Sequence, residues 1–212
     1  MPHALDLARR DHWQNKQQSE TKGEANEMQQ ARIGTTTVEV VAGNIVQAGT
    51  EAIVTAANAA LMGGGGVDGA VHRAAGHELL TAIRAIGQCP TGSAVATPSF
   101  NLAPPARRVI HAVGPVYSRH ESEHAAQLLR GAYTASLAIC EAEGLRSIGF
   151  PSISTGAYGY PVIEAAPVAI GAVLDHLRTK ADSALELVRL VLFDAHTTAI
   201  YARALERAIA AG

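Results

Sequence analysis

Apolar positions along the chain follow two alternating rhythms. Residues 36–42 alternate apolar and polar with a period of two, and 51–56 is a short β-branched apolar run suited to a buried strand. Residues 67–76 and 77–86 carry helical spacing, whereas 94–99 and 108–113 read as strands, the second ending at Gly114-Pro115. Over 123–143, Leu128, Ala132, Ala135 and Ile139 share one helix face, and the run stops at Gly144, a residue able to close a helix with positive φ. A strand over 146–153, a helix opened by Pro161 at its first position and running to Lys180, a strand over 186–193 and a helix over 197–210 complete the pattern. Apolar strands alternating with helices predict an α/β sheet covered by helices on both faces. Ligands of such sheets sit beyond the carboxyl ends of the strands, so the loops there are where chemistry is expected.

The first 34 residues break this rhythm. Over 11–32 only Trp13, Ala25, Met28 and Ala31 are apolar, and over 1–34 the charges balance at five of each sign. This reads as a polar N-terminal extension followed by a domain over 35–212. The composition, 48% hydrophobic and 17% charged, is that of a chain with a large core that folds alone. Its net charge of −2 gives no basic field for a nucleic-acid backbone, so nucleic acid is not expected as the primary partner. Two cysteines, Cys89 and Cys140, make neither a disulfide framework nor a thiolate cluster and read as core residues of a protein in a reducing, cytoplasmic setting. The first residues lack an apolar signal core, and no apolar run approaches the roughly 20 residues of a membrane span. Abundant alanine and a preference for arginine over lysine read as genome composition of a bacterial kind, without functional weight.

Two glycine-bearing loops fall at the predicted strand ends. In the first, Gly63, Gly64, Gly65 and Gly66 lead through Val67 and Asp68 directly into a helix. Glycine lets a ligand approach the bare backbone, and turn amides followed by a helix N-terminus form an anion nest. The second runs Ser152-Ile153-Ser154-Thr155-Gly156-Ala157-Tyr158-Gly159 and again precedes a helix. Either loop alone is equally a tight turn; two facing nests suit a diphosphate. Residues 64–69 formally satisfy G-x-G-x-x-G, yet about seven loop residues separate them from the preceding strand, and the strand over 94–99 does not end in an acid to take a ribose. No P-loop motif is present.

Asp68 stands out because a carboxylate within an anion-binding loop repels its ligand. One reading makes it a first-turn acid complementing the helix dipole. The other has it orient a hydroxyl or water beside bound phosphates, with the Asn58 amide able to donate and accept nearby. His72, one turn later on the same face, reads as a structural partner. The sequence shows no H-E-x-x-H, no Cys/His ligand spacing and no G-x-S-x-G, and its nine histidines do not cluster; no metal and no covalent serine chemistry are expected.

These residues resemble a known family. Ala42-Gly43-Asn44-Ile45, the run 51–58, Gly63 to Gly69 with Val71-His72-Arg73-Ala74-Ala75-Gly76, Cys89-Pro90-Thr91-Gly92, Val109 to Pro115 and Phe150 to Gly156 are similar in type and order to the macrodomains, ADP-ribose-binding modules, of the MacroD type. The resemblance covers about 35–209. It implies a three-layer α/β/α fold around a mixed sheet, with Asn44 and Ile45 at the adenine, the glycines 63–66 with Val67 and the loop Ser154, Thr155, Gly156, Ala157 and Tyr158 around the diphosphate, and Asn58, Asp68 and Tyr158 at the distal ribose. It further implies a hydrolase that deacetylates O-acetyl-ADP-ribose and releases ADP-ribose from acidic side chains of modified proteins. That reaction needs no metal or cofactor: Asp68 and the substrate's own phosphate hold the attacking water. The expected partners are ADP-ribose and ADP-ribosylated proteins, and the expected state is a monomer. A non-catalytic ADP-ribose reader is the other class the family contains. Two positions depart from the family pattern: Asn44 stands where an aspartate is usual, and Thr55 where the first asparagine of Asn-Ala-Ala-Asn is usual.

Overall fold

The computed structural model describes residues 29–180 and 182–212. Strands β1 (Gln29–Ile33), β2 (Thr36–Ala42), β3 (Ala52–Ala56), β4 (Ser93–Pro98), β5 (Arg108–Val113), β6 (Ser147–Phe150) and β7 (Leu187–Leu192) form one sheet in the order β1-β2-β7-β6-β3-β5-β4. The inner five are parallel, and β1 and β4 close the edges antiparallel. Helices α1 (Gly66–Ala75), α2 (His77–Ile86), α3 (Ser122–Ala142), α4 (Val162–Thr179) and α5 (Ala195–Ala210) cover the two faces. The mixed three-layer α/β/α architecture expected from the sequence is the one observed.

Strand alternation divides the core into two. Val38, Val40, Ala52, Val54, Ile110 and Ala112 turn to the face packed by α3, α4 and α5, where Leu129, Leu137, Ile170, Leu174, Tyr201 and Leu205 bury almost completely. Ile53, Val109 and Val113 turn to the other face, against Val71 and Ala75 of α1 and Leu79 and Ile83 of α2. Each large aliphatic side chain buried this way contributes roughly 1.5–3 kcal/mol. Cys89 and Cys140 are free and buried, as core residues should be.

The sheet begins earlier than expected. β1 lies within the stretch assigned to the polar extension, with Ala31 opposite Val38 and Ile33 opposite Thr36. Only those two side chains pack on the core, too few to give a strand signal, so β1 exists because β2 offers it hydrogen-bonding partners. The rest of the expected extension, Trp13 included, lies outside the described residues. β6 stops at Phe150 rather than running to Ile153, because Pro151 donates no backbone N–H to a ladder. Pro161 caps α4 from outside with φ −60° and ψ 126° instead of occupying its first helical position. Among the described residues, no helix is long and apolar enough to cross a membrane.

Candidate functional site

Because β2, β7, β6, β3 and β5 run parallel and adjacent, their carboxyl ends form a row along one edge of the sheet. The loops that leave this row enclose a cleft lined by Ala56, Ala57 and Asn58 after β3, Gly64 to Asp68 at the start of α1, Gly114 after β5, and Ser152 to Ser154 with Gly156 to Tyr158 after β6. Both predicted glycine loops therefore meet in one cavity. Gly114 shows how closely the walls approach: a Cβ there would lie 2.2 Å from Ser154 Oγ and 2.6 Å from Ile153 Cγ2.

The first wall is held by Asn58. Its Nδ2 donates to the Gly63 carbonyl at 2.9 Å, and its Oδ1 accepts from the Met62 amide at 3.4 Å. This brace folds the glycine run back toward α1, where the first helical amides have no partner within the helix and point outward. The second wall is braced from behind, Tyr160 N–H donating to the Ser154 carbonyl and Tyr117 N–H to the Tyr158 carbonyl. Ser154 is held at φ +66°, a left-handed conformation uncommon for a side-chain-bearing residue, and its buried hydroxyl has no partner.

Asp68 sits at the floor, 3% exposed. Thr55 Oγ1, on β3 beneath it, donates to Oδ1 at 2.9 Å, and Oδ2 is buried without a partner. Burial pushes the Asp68 carboxyl above its ordinary value, opposed by the Thr55 bond, by His72 and by the Gly64 amide. His72 Nε2 lies 3.7 Å from Asp68 Oδ1, and the His72 ring is 6.2 Å from that of His111. His111, directly opposite Thr55 in the β3–β5 register, bonds through Nε2 to Thr97 Oγ1 at 3.0 Å. Burial, then the neighbouring His72, lowers its pKa to about 3, so the ring is neutral.

The structure thus gathers Asn58, Gly64, Gly65, Gly66, Val67, Asp68, Ser154, Gly156, Ala157 and Tyr158 around one cleft, and sets four expected site residues outside its lining. Gly63 lies behind the wall as the acceptor for Asn58, and the Thr155 hydroxyl turns back to Ser152. Asn44 caps a short 3-10 turn, Oδ1 accepting from the Val46 amide at 3.2 Å, while Ile45 is buried in the α1-side core. These two stand at the end of β2, farther along the row. Three features escaped sequence reasoning. Thr55, at the position that departs from the family pattern, orders Asp68. The histidines do cluster, since His72 and His111, 39 positions apart in sequence, meet across the α1–sheet interface. Phe193, at the end of β7 beside Gly43, is 88% exposed and presents an aromatic ring to solvent at the row of strand ends; its apolar character had been absorbed into the strand pattern.

A parallel sheet whose strand ends carry two glycine-rich walls over a buried carboxylate defines an α/β/α protein with one cleft of the phosphate-cradling kind. The Macro domain family model matches residues 54–169. The chain is 49% identical over 175 residues to the O-acetyl-ADP-ribose deacetylase of Salmonella gallinarum, covering 81% of this chain and 95% of that one. It is 47% identical to a Macro domain-containing protein of Ralstonia nicotianae, with 83% and 98% covered. Among solved structures, the Oceanobacillus iheyensis macrodomain with ADP superposes with a TM-score of 0.81 at 38% identity, covering 87% of this chain and 98% of that one. The Trypanosoma brucei macrodomain in complex with ADP-ribose gives 0.71 at 36%, covering 78% and 68%. The chain belongs to the Macro domain family.

Proposed function

We propose that the protein is a hydrolase of ADP-ribose esters, acting on O-acetyl-ADP-ribose and on ADP-ribose linked to acidic side chains of proteins. One observation carries this reading: a buried carboxylate, Asp68, with one oxygen fixed by Thr55 and the other unpartnered, lies against two glycine walls suited to phosphates. A carboxylate there repels a diphosphate, and a reader would bind better without it. The names of the relatives support the same chemistry.

The row of strand ends gives the ligand a direction. The cleft encloses about 260 Å³, slightly below the roughly 300–1,000 Å³ usual for small-molecule pockets, so a ligand as long as ADP-ribose extends beyond it. The diphosphate lies across the glycine walls, the distal ribose at Asn58, Asp68 and Tyr158, and the adenine along the edge toward β7 and β2. There Phe193 supplies a face for stacking, and Asn44 an amide for the base. In the reaction Asp68 and a substrate phosphate oxygen hold a water. The water adds to the ester carbonyl and passes a proton to the Asp68 carboxylate as the carbonyl carbon becomes tetrahedral. The ester C–O bond then breaks, the ribose oxygen takes a proton, and a carboxylic acid and ADP-ribose leave. The raised Asp68 pKa brings the carboxylate nearer to the working pH of a general base.

We place the enzyme in the cytoplasm, a reading supported by its two free buried cysteines, and as a monomer. The test is incubation with O-acetyl-ADP-ribose and, separately, with an acid-linked mono-ADP-ribosylated protein, following release of free ADP-ribose. Release from both is expected. A protein that binds ADP-ribose tightly but releases it from neither is a reader.

A further inference from the structure

Beside the reaction proposed above, the floor of the cleft holds a donor set that the reaction leaves unused. Asp68 Oδ2, His72 Nε2 and His111 Nδ1 are each buried without a hydrogen-bond partner. One ligand atom from each of these three residues lies within 4.8 Å of the other two. Buried polar atoms are normally paired, so three unpartnered ones on residues this close point to a partner they share. Two of the three residues are already oriented from behind. Thr55 donates to Asp68 Oδ1, and Thr97 Oγ1 bonds His111 Nε2. When that Nε2 carries the proton, the buried Nδ1 of His111 keeps its lone pair for a ligand. Such outer partners are what orient ligating carboxylates and imidazoles in metal sites.

We propose that Asp68, His72 and His111 form a binding site for a borderline transition-metal ion such as zinc or cobalt, and that its occupancy withdraws Asp68 from hydrolysis. Two imidazole nitrogens and one carboxylate oxygen suit these ions rather than magnesium or calcium, which take oxygen ligands. Zinc–ligand bonds of about 2.0–2.2 Å place tetrahedral ligand atoms about 3.4 Å apart. His72 Nε2 lies 3.7 Å from Asp68 Oδ1, the oxygen that Thr55 already holds, so carboxylate and imidazole stand at about that spacing, and Oδ2 is the oxygen left to meet the ion. The ligands stand on α1 and β5, and the threonines behind them on β3 and β4, so each is anchored on a regular element. Binding of the ion is independent of the enzymatic reading, whereas the withdrawal of Asp68 rests on it.

Chelator-treated, tag-free protein titrated with cobalt tests the site. The expected result is a visible d–d absorption band saturating at one ion per chain and displaced by zinc. In His72→Gln and His111→Gln, each shown by circular dichroism to be folded, the affinity should fall by at least about tenfold. Zinc should also suppress hydrolysis of O-acetyl-ADP-ribose by the wild type, and chelator should restore it. No band in the wild type overturns the site. So does a band of equal affinity in both variants, because the ion then sits elsewhere, for instance at the His120–His124 pair, whose rings lie 5.2 Å apart. Full turnover at saturating zinc overturns the withdrawal of Asp68 while leaving the site itself to the spectrum, and a protein without any turnover is still judged by the cobalt band.

Discussion

On one side of the sheet, α3, α4 and α5 lay Leu129, Leu137, Ala166, Ile170, Leu174 and Leu205 against Val38, Val54, Ile110 and Leu190. The polar groups there are used locally: Ser136 donates to the Ala132 carbonyl, Tyr133 to that of Pro151, and Tyr201 pairs with Ser152. His176 is the exception, at the margin and facing Glu141 at 3.6 Å. On the other side, Val71, Leu79, Ile83 and Val109 make an equally dry contact, but Thr55, Asp68, His72 and His111 interrupt it with three unpartnered atoms. The two faces share the same strands, so the difference lies in what each is for. The first face holds the fold together, and the second accepts buried polarity because it borders the cleft.

If that division is right, damage to the first face should appear in stability and not in chemistry. Leu137→Ala, at a side chain buried completely between helix and sheet, should destabilise by about 2–5 kcal/mol, read as a lower urea midpoint, with kcat/KM unchanged at temperatures where the variant is folded. A large fall in kcat/KM of the folded variant would break the comparison.

Acid should find the second face first. The His111 pKa is 6.5 in an unfolded chain and about 3 in the native state, so the native protein resists taking up that proton. The associated stability is fully present above pH 6.5 and is lost as pH falls toward 3, by up to several kcal/mol. Urea midpoints measured from pH 7 to pH 4 should fall steeply in the wild type and more gently in His111→Gln. Parallel slopes would mean that His111 is not the acid-sensitive group.

The row of strand ends gives smaller effects. Phe193→Ala should weaken ADP-ribose binding by roughly tenfold, since base–aromatic stacking contributes about 1–3 kcal/mol, and should leave thermal stability intact because the ring is exposed. Calorimetry with ADP and with ribose 5-phosphate locates the loss; equal weakening of both would place the adenine elsewhere. Asn44→Asp should tighten ADP-ribose binding several-fold. One carboxylate oxygen can keep the Val46 cap while the other meets the adenine amino group through a charge-assisted bond, a gain of about 1 kcal/mol. Unchanged or weaker binding would confine Asn44 to capping.

The sequence made most of the first face legible and little of the second. β2 and β5 fall at the predicted residues, and α3 within one residue of them, because a regular apolar period needs nothing beyond itself. β1 was hidden because QQARI has two inward side chains and depends on β2 for its bonds. Pro167 inside α4 also went unmarked, as the apolar period runs through it. Both cleft walls were legible, since glycine runs before helices have a physical meaning. The polar floor was not: Thr55 and His111 each occupy an ordinary strand position, and only the β3–β5 register and the placement of α1 above it make them neighbours of Asp68. Phe193 was equally opaque, because exposure is not a property of an apolar residue at a strand end.

Asp68→Asn tests the account most directly, because stability and chemistry make opposite demands of this one residue. Burial raises the native carboxyl pKa above 3.8, so this group's contribution to stability is present below 3.8 and lost as pH rises through the native value. Above pH 3.8 this carboxyl therefore costs stability, and the neutral amide, which still accepts from Thr55, relieves it. The account predicts that Asp68→Asn melts at a higher temperature than the wild type at pH 7, by about 2–4 °C for each kcal/mol relieved. It also predicts that ADP-ribose binding stays within about tenfold while ester hydrolysis falls by about 10² to 10⁴. A variant that melts lower and hydrolyses O-acetyl-ADP-ribose at the wild-type rate would contradict it.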